Sequence, residues 1–305
     1  LNRRGFSPLM LCDNCGWNLE CSSCSIAMNF HKEGVCVCHY CGQKRNLPNI
    51  CPVCGSSDLH LVGTGTQRIE DLVEKEFKNY STFRLDQDSA RKKNTIFDLI
   101  ERMNNGEVDI LIGTQMVAKG FDFSNITVVG VLLADIGLHM PDFRATERIF
   151  SLLMQVAGRA GRGEESGHVI IQTLSKENKI FEFLKNQDFM SFYKYELSVR
   201  KELNYPPFSR MARLLLRGID ENKVSEHIAK LRILIDTIIS KEASSVMVLG
   251  PTAAPFHKIA NKYRYHILLK SQSIGPIHSI ISQIKGIITD KNLYLEIDID
   301  PFDIM

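Results

Sequence analysis

Nine cysteines lie between Cys12 and Cys54, and eight of them form pairs separated by two residues. A Cys-x-x-Cys turn presents both sulfur atoms to one tetrahedral ion, so the four pairs predict two structural zinc sites. Sites with four thiolates are closed, and we expect these ions to fold a small module rather than to do chemistry. The pairs are Cys12 with Cys15, Cys21 with Cys24, Cys38 with Cys41, and Cys51 with Cys54.

The spacing between the pairs indicates which of them share an ion. Residues 25–37, between the second and third pairs, are enough for a zinc-ribbon hairpin, whereas residues 16–20 leave little room for two opposing turns. We therefore predict a nested arrangement, with the two inner pairs on one ion and the two outer pairs on its neighbour.

The remaining ligand types in this block have simpler interpretations. We interpret Cys36 as a buried free thiol and His31, His39 and His60 as surface histidines. A disulfide framework is disfavoured because the rest of the chain has no cysteine and no signal peptide opens it. Redox-active dithiols are an alternative that metal analysis would decide.

A second group of residues suggests phosphate chemistry. Residues 155–163 read Gln-Val-Ala-Gly-Arg-Ala-Gly-Arg-Gly, with Arg159 and Arg162 three residues apart on one helical face. Such arginines suit a terminal phosphate whose charge grows in the transition state. A solvated basic turn is the alternative for the arginines alone. A second segment at the end of an apolar run, Gly113 to Asp122, favours phosphate chemistry.

The sequence also lacks one part of a nucleotide site. No Gly-x-x-x-x-Gly-Lys-Ser/Thr loop occurs, and the Gly63-Thr-Gly65-Thr turn has no lysine. We therefore expect the chain to carry half of a nucleotide site and not to hydrolyse ATP alone. Because it begins Leu1-Asn-Arg-Arg-Gly, we also expect it to be part of a longer protein.

Alternating strands and helices from Leu61 onward must position these residues. Alternation of this kind predicts an α/β fold with a parallel sheet and helices on both faces, and with ligands at the carboxyl ends of the strands. The predicted strands are 82–85, 108–112, 127–133 and 168–173, and the predicted helices are 66–80, 92–104 and 144–157.

After about Asn204 the pattern changes to strand, helix, strand, strand, helix, strand, which is typical of a split βαβ domain of the α+β class. Residues 257–266 interleave basic and aromatic side chains that could track phosphates and stack on bases, with Lys262 and Arg264 as candidates. An ordinary amphipathic strand is the alternative. The predicted strands are 211–217, 246–249, 263–270 and 293–299, and the helices are 222–240 and 274–288.

Composition excludes little. With 44% hydrophobic and 24% charged residues, the composition is typical of a globular protein. The net charge of +2 is nearly neutral, but a basic surface can exist on a protein whose net charge is small. The longest nearly apolar run, residues 126–134, is too short to cross a bilayer. We expect a cytoplasmic protein.

Residues 114–122 and 155–162 resemble motifs V and VI of superfamily 2 helicases. The paired cysteines ahead of them narrow the resemblance to the replication-restart helicases, and it covers the whole chain. Further agreement lies in residues 1–6, 65–66, 142–148, 204–208, 250–251 and 298–302.

The resemblance implies the carboxyl-terminal half of such a helicase. It implies a RecA-like second lobe that starts in residues 1–11 and resumes over 61–203, an inserted zinc module at 12–60, and a carboxyl-terminal α+β domain at 204–305. ATP and Mg²⁺ would bind mainly through a first lobe that this chain lacks. Arg159 and Arg162 would contact the γ-phosphate, with Gln155 nearby. Gly120 and Asp122 would lie beside the nucleotide. Thr114 and Lys119 would contact DNA.

The activity that the resemblance implies is ATP-driven 3′-to-5′ unwinding at abandoned replication forks, followed by loading of the replicative helicase. The implied partners are forked and single-stranded DNA, single-strand-binding protein, and primosome and helicase-loader proteins, in a nucleoid-associated location and without a membrane. The alternative is a non-catalytic zinc-ribbon adaptor, which explains the cysteines but not the form of Gln155 to Arg162.

Overall fold

A computed structural model describes most of the chain. The residues outside the description are 1–8, 16, 24–27, 32–34, 39–42, 63–65, 87–89, 91–94, 122, 124, 139, 141, 162–165, 174, 243 and 305. Among the residues that are described, no helix combines the length and the apolar character needed to span a bilayer.

The cysteine-rich module is closed by its first and last strands, which pair in antiparallel fashion so that the chain leaves beside its entry. A three-stranded antiparallel sheet lies between them. Its small core contains Met10, Leu19, Met28 and the fully buried Cys36, and burial raises the pKa of the Cys36 thiol. The strands are β1 (Leu9–Cys12), β2 (Asn29–His31), β3 (Val35–Val37), β4 (Lys44–Asn46) and β5 (Leu59–Val62).

The middle of the chain has the predicted alternation of strands and helices. β6 pairs in parallel with β7, and β8 pairs in parallel with β9, so the described residues form two separate two-stranded parallel sheets. The elements are α1 (Thr66–Glu76), β6 (Thr82–Leu85), α2 (Thr95–Asn104), β7 (Ile110–Gly113), α3 (Gln115–Gly120), β8 (Val128–Val131), α4 (Ala145–Ala157), β9 (His168–Ile171), α5 (Lys179–Lys185) and α6 (Phe189–Glu202).

This region differs from the prediction in the bounds of several elements and in three of its helices. α1 ends at Glu76 rather than Tyr80, because the chain turns at residues 78–79 and the Phe77 and Tyr80 rings then contact each other edge-on at 6.2 Å. Helix α3 was not predicted, and neither were helices α5 and α6. Helices α5 and α6 bury Ile180, Leu184 and Phe192 against α4, and the Phe192 ring stacks on Phe150 with centroids 3.7 Å apart.

The carboxyl-terminal domain is a four-stranded antiparallel sheet in the order β11-β12-β10-β13, with both helices packed against its core. β11 is far longer than predicted, because two register shifts accommodate Pro251 and Pro255, which cannot donate ladder hydrogen bonds. The elements are β10 (Arg210–Gly218), α7 (Glu221–Glu242), β11 (Met247–Ile259), β12 (Lys262–Ser271), α8 (Ile274–Ile284) and β13 (Leu293–Ile299).

The turn between β11 and β12 reaches the cysteine-rich module. The backbone N–H of Asn261 donates to the Ser23 carbonyl at 2.8 Å, and Lys258 Nζ donates to the Ser22 carbonyl at 3.0 Å. Ile259 packs against the small core of the module. The β11–β12 turn is therefore docked on the loop that follows Cys21.

Candidate functional sites

The structure brings the two outer cysteine pairs together. The sulfur atoms of Cys12, Cys15, Cys51 and Cys54 all lie within 4.8 Å of one another. Cys12 Sγ is 3.5 Å from Cys54 Sγ, and Cys15 Sγ is 3.6 Å from Cys51 Sγ. Four sulfurs bound at about 2.3 Å to one tetrahedral ion would be about 3.8 Å apart. The four residues therefore fit a metal ion with thiolate ligands.

The backbone explains why these sulfurs converge. Cys12 is the last residue of β1 and is paired with Leu59 of β5, which places both turns at one end of the module. Each turn closes with a backbone hydrogen bond, from the Cys12 N–H to the Trp17 carbonyl at 2.7 Å and from the Cys51 N–H to the Ser56 carbonyl at 2.8 Å.

The surroundings of Cys54 and Cys15 shift the pKa values of these two thiols in opposite directions. Hydrogen bonds from the Ser56 N–H and the Asn14 side chain lower the pKa of Cys54 to about 6. For Cys15 the Trp17 N–H acts in the lowering direction, but burial and the thiols of Cys54, Cys51 and Cys12 outweigh it and raise its pKa to about 12. A cation bound among these sulfurs would favour the thiolate form of both residues, because a metal ligand must be deprotonated.

The inner pairs are placed only in part. Cys24 and Cys41 lie outside the described residues, as does His39, while His31 lies in β2 and His60 in β5. Cys21 and Cys38 are both buried in the core of the module. β2 and β3 form an antiparallel hairpin between the two pairs, where the spacing suggests one. The second ion stays a prediction.

The segment with the Gly-Thr-Gln pattern follows β7 directly. Thr114 is the N-cap residue of α3, and Lys119 and Gly120 are its last two residues. A Cβ at Gly113 would lie 2.8 Å from the Leu85 carbonyl oxygen and would collide with Val117, so only glycine allows β6, β7 and α3 to approach this closely. Asp122 lies outside the described residues.

The second segment lies at the carboxyl end of α4. Gln155 is exposed in its last turn, and Arg159 follows one turn later on the same face, with its N–H bonded to the Val156 carbonyl at 3.0 Å. Arg162 lies outside the described residues. α3 and α4 contact each other, and the Gly161 N–H donates to the carbonyl of Ile126, six residues after α3 ends, so the chain leaving α3 lies beside the chain leaving α4.

Gly161 sets the path of the chain after Arg159. Its φ is +72°, and its N–H donates to the Ile126 carbonyl at 2.9 Å. A Cβ there would lie 2.5 Å from the backbone nitrogen of Gly167.

We expect Gly161→Ala to destabilise the domain by about 1–3 kcal/mol, because the added methyl group meets backbone and the conformation is left-handed. Thermal unfolding followed by circular dichroism measures this. Gly130→Ala is the control, since no described atom lies within 4 Å of a Cβ placed there. Equal melting temperatures for the two variants would contradict the steric argument.

The basic and aromatic tract of the carboxyl-terminal domain makes several contacts within the chain. Lys262 is exposed at the start of β12. Arg264 Nη1 donates to the Phe256 carbonyl at 3.1 Å, and the His257 ring meets Tyr263 and Tyr265 edge-on at 5.5 and 5.2 Å. Lys262 and Arg264 remain candidates for DNA contact.

Sequence reasoning missed a polar cluster at the other end of α4, where Arg144 and Arg148 meet the chain near Phe302. Arg144 Nη1 donates to the Phe302 carbonyl at 2.8 Å, and Arg148 Nη2 donates to the same oxygen at 2.5 Å. One signal could have found it. Arginines at a helix N-terminus oppose the helix dipole, so their position implies a specific partner.

Comparison with known proteins gives two matches over separate parts of the chain. Residues 57–164 match the Helicase conserved C-terminal domain, and residues 201–302 match the Primosomal protein N C-terminal domain. Over 100% of its length the chain is 37% identical to replication restart protein PriA of Bacillus subtilis (strain 168), of which it covers 38%. It is 37% identical to the PriA of Synechocystis sp. and 38% identical to that of Treponema pallidum, and it covers 37% and 46% of those proteins.

The first match includes both α3 and the end of α4, so this part of the chain is a helicase carboxyl-terminal domain with a RecA-like α/β fold and parallel strands. The chain as a whole belongs to the PriA family, and it corresponds to the carboxyl-terminal region of these replication restart proteins. This confirms the resemblance. The chain spans less than half the length of these three relatives.

Proposed function

We propose that this chain supplies the second motor lobe, a zinc-bound module and the carboxyl-terminal domain of an ATP-driven 3′-to-5′ DNA helicase that acts in replication fork restart. The observation that carries the proposal is the helicase-domain match over residues 57–164, within which α3 and α4, the helices of the Thr114 and Gln155–Arg159 segments, contact each other. The name of the relatives supports fork restart as the setting.

In this proposal the arginines act across the boundary with a first lobe. ATP with Mg²⁺ would bind there and supply the phosphoryl group that is transferred to water. Arg159, with Arg162, would donate to the γ-phosphate oxygens as their charge grows. The exposed Gln155 would lie beside these arginines and help to position the reacting groups. Gly120 and Asp122 would lie beside the nucleotide, whereas Thr114 and Lys119 would contact the DNA backbone. The motion between lobes would then advance the DNA.

The cysteine-rich module would hold two zinc ions with structural roles. The fit of the four outer sulfurs to one tetrahedral ion supports the first, and a set of four thiolates leaves no open position for catalysis. The boundaries at 12–60, 61–203 and 204–305 are supported by the pairing of β1 with β5 and by the separate cores of the two larger domains. The strand order β11-β12-β10-β13 supports a split βαβ assignment for the last domain.

Forked and single-stranded DNA, single-strand-binding protein and primosome loader proteins are the proposed partners, with Lys262 and Arg264 as further DNA contacts. The non-catalytic adaptor is not favoured, because the helicase match covers both motif segments.

The proposal is tested on the full-length protein with forked DNA. We expect DNA-stimulated ATP hydrolysis and strand separation with 3′-to-5′ polarity, and we expect the 305-residue chain alone to show neither. A full-length protein that binds forked DNA without hydrolysing ATP would overturn the motor proposal and restore the adaptor.

A further inference from the structure

The arginines at the start of α4 link the motor lobe to the carboxyl-terminal domain. Both guanidinium groups donate to the single carbonyl oxygen of Phe302, and both lie over its ring, at 5.2 Å for Arg144 and 5.0 Å for Arg148. The two arginines and Phe302 are 154 to 158 residues apart in the chain. We call these three residues the clamp.

The clamp is anchored firmly on the motor side. Arg148 Nη1 pairs with Asp142 Oδ2 at 3.0 Å, and the Asp142 side chain is 0% exposed. The other oxygen of Asp142 accepts from the Arg144 backbone N–H at 2.8 Å. The first turn of α4 and the clamp arginines therefore move as one unit.

It is anchored equally on the other side. Two residues before Phe302, Asp300 accepts from Arg210 Nε at 3.0 Å on both carboxylate oxygens, and its N–H donates to the Met211 carbonyl at 2.8 Å. Arg210 and Met211 begin β10, a central strand of the four-stranded sheet. A displacement of Phe302 is thus transmitted to the sheet.

Helix α4 connects the clamp to the proposed nucleotide edge. It has 13 residues and is about 20 Å long at 1.5 Å per residue. Its apolar face is buried through Ile149, Phe150, Leu152 and Leu153, so the helix is held as a rigid rod in the lobe. Arg148 lies at one end of this rod and Arg159 just past the other.

The interface beside the clamp leaves room for movement. A cavity of about 280 Å³ lies there, lined by Arg144, Pro206, Pro207, Arg210 and Asp300 among others. A space of this size lets the arginine side chains shift without overpacking, unlike the close-packed cores on either side.

We propose that the clamp couples nucleotide-dependent movement of the Arg159 end of α4 to the carboxyl-terminal domain, and that Arg144 and Phe302 are positioning residues for DNA unwinding. This inference rests on the proposed function. It assigns a role to residues 142–148 and 298–302, two segments that have no part in the proposed hydrolysis of ATP. ATP hydrolysis itself does not require the clamp, but the conversion of each hydrolysis event into separated base pairs does.

The test compares full-length variants by base pairs separated per ATP hydrolysed, at saturating ATP and forked DNA. The test variant is Arg144→Ala with Phe302→Ala. It avoids Arg148, whose loss would take the ion pair with Arg148 away from the buried Asp142 carboxylate. The Arg144 side chain makes no capping bond and Phe302 is 75% exposed, so we expect little change in melting temperature.

We expect ATP hydrolysis to stay within about twofold of wild type while base pairs per ATP fall roughly tenfold, within the range of measured site-to-site couplings. The single variant Phe302→Tyr keeps both the ring and the native Arg144, and we expect it to separate as many base pairs per ATP as the wild type. Arg102→Ala is the matched control, since this arginine lies over the Phe83 ring at 5.3 Å, away from the clamp.

Two results would overturn the inference while leaving the motor proposal intact. One is an unchanged ratio of base pairs to ATP in the double variant. The other is a parallel loss of ATP hydrolysis, unwinding and melting temperature, which would make the clamp a structural contact only. A wild-type protein without DNA-stimulated hydrolysis would instead overturn the proposed function and the inference with it.

Discussion

Arg159→Ala is expected to lower the DNA-stimulated kcat for ATP hydrolysis by the full-length protein by about 10³-fold or more, which is the usual effect of removing an arginine that contacts the transferred phosphoryl group. The KM for ATP should change much less, because the interaction strengthens only as charge grows in the transition state. Steady-state hydrolysis at varied ATP with saturating forked DNA separates the two constants.

Two further variants serve as controls for the Arg159→Ala result. Arg159→Lys keeps the charge but not the planar fork of donors, and we expect it to recover only a small part of the activity. Lys176→Ala removes a cation whose side chain is 84% exposed, and it should leave kcat unchanged. Normal turnover by Arg159→Ala would remove the arginine from the proposed chemistry.

Removal of metal is expected to unfold the cysteine-rich module and leave the carboxyl-terminal domain folded. Structural zinc sites contribute apparent binding energies of about 10–16 kcal/mol, far more than a module of this size can supply from its own core. Trp17, the only tryptophan of the chain, packs against the small core that contains Cys36 and Cys38, so its fluorescence reports on the module. We expect a red shift on chelation, with most of the far-ultraviolet circular dichroism retained.

The zinc content of cysteine variants distinguishes the cysteines that bind the metal from those that do not. We expect two zinc ions per wild-type chain and one in Cys51→Ser, measured by atomic emission. Cys36→Ala is the matched control, because Cys36 is fully buried in the same module but lies outside the predicted ligand sets, and it should keep two ions. A metal-free wild-type protein, or an emission spectrum unmoved by chelation, would contradict the zinc assignment.

Local sequence signals predicted much of this molecule. The bounds of β6 and β13 agree with the prediction residue for residue, because each is a short run of strand-forming residues between clear turns. The outer cysteines that the structure brings together are those that the nested spacing suggested. The glycine-rich end of α4 was recognisable because its residue types are unusual for a helix end that is only structural.

Other features depend on contacts that no local pattern carries. α3 has six residues and ends in Lys119-Gly120, so it is too short for a helical period to show. β11 runs past Pro251 and Pro255 only because two register shifts remove the need for their missing donors. The clamp joins residues more than 150 positions apart. Sequence alone could mark its segments as characteristic of a family, but not as neighbours.

The docking of the β11–β12 turn on Ser22 and Ser23 also orders events during synthesis. Lys258 leaves the ribosome 236 residues after the serine carbonyl that it binds, roughly 10–50 s later at bacterial elongation rates. Until then these carbonyls lack the Lys258 and Asn261 donors, and Ile259 does not yet cover its face of the module. The module can therefore capture metal early, but this surface is covered only after the β11–β12 turn has been made. A nascent chain stalled before residue 258 would expose that surface, which is where a chaperone or protease could distinguish an unfinished protein from a finished one.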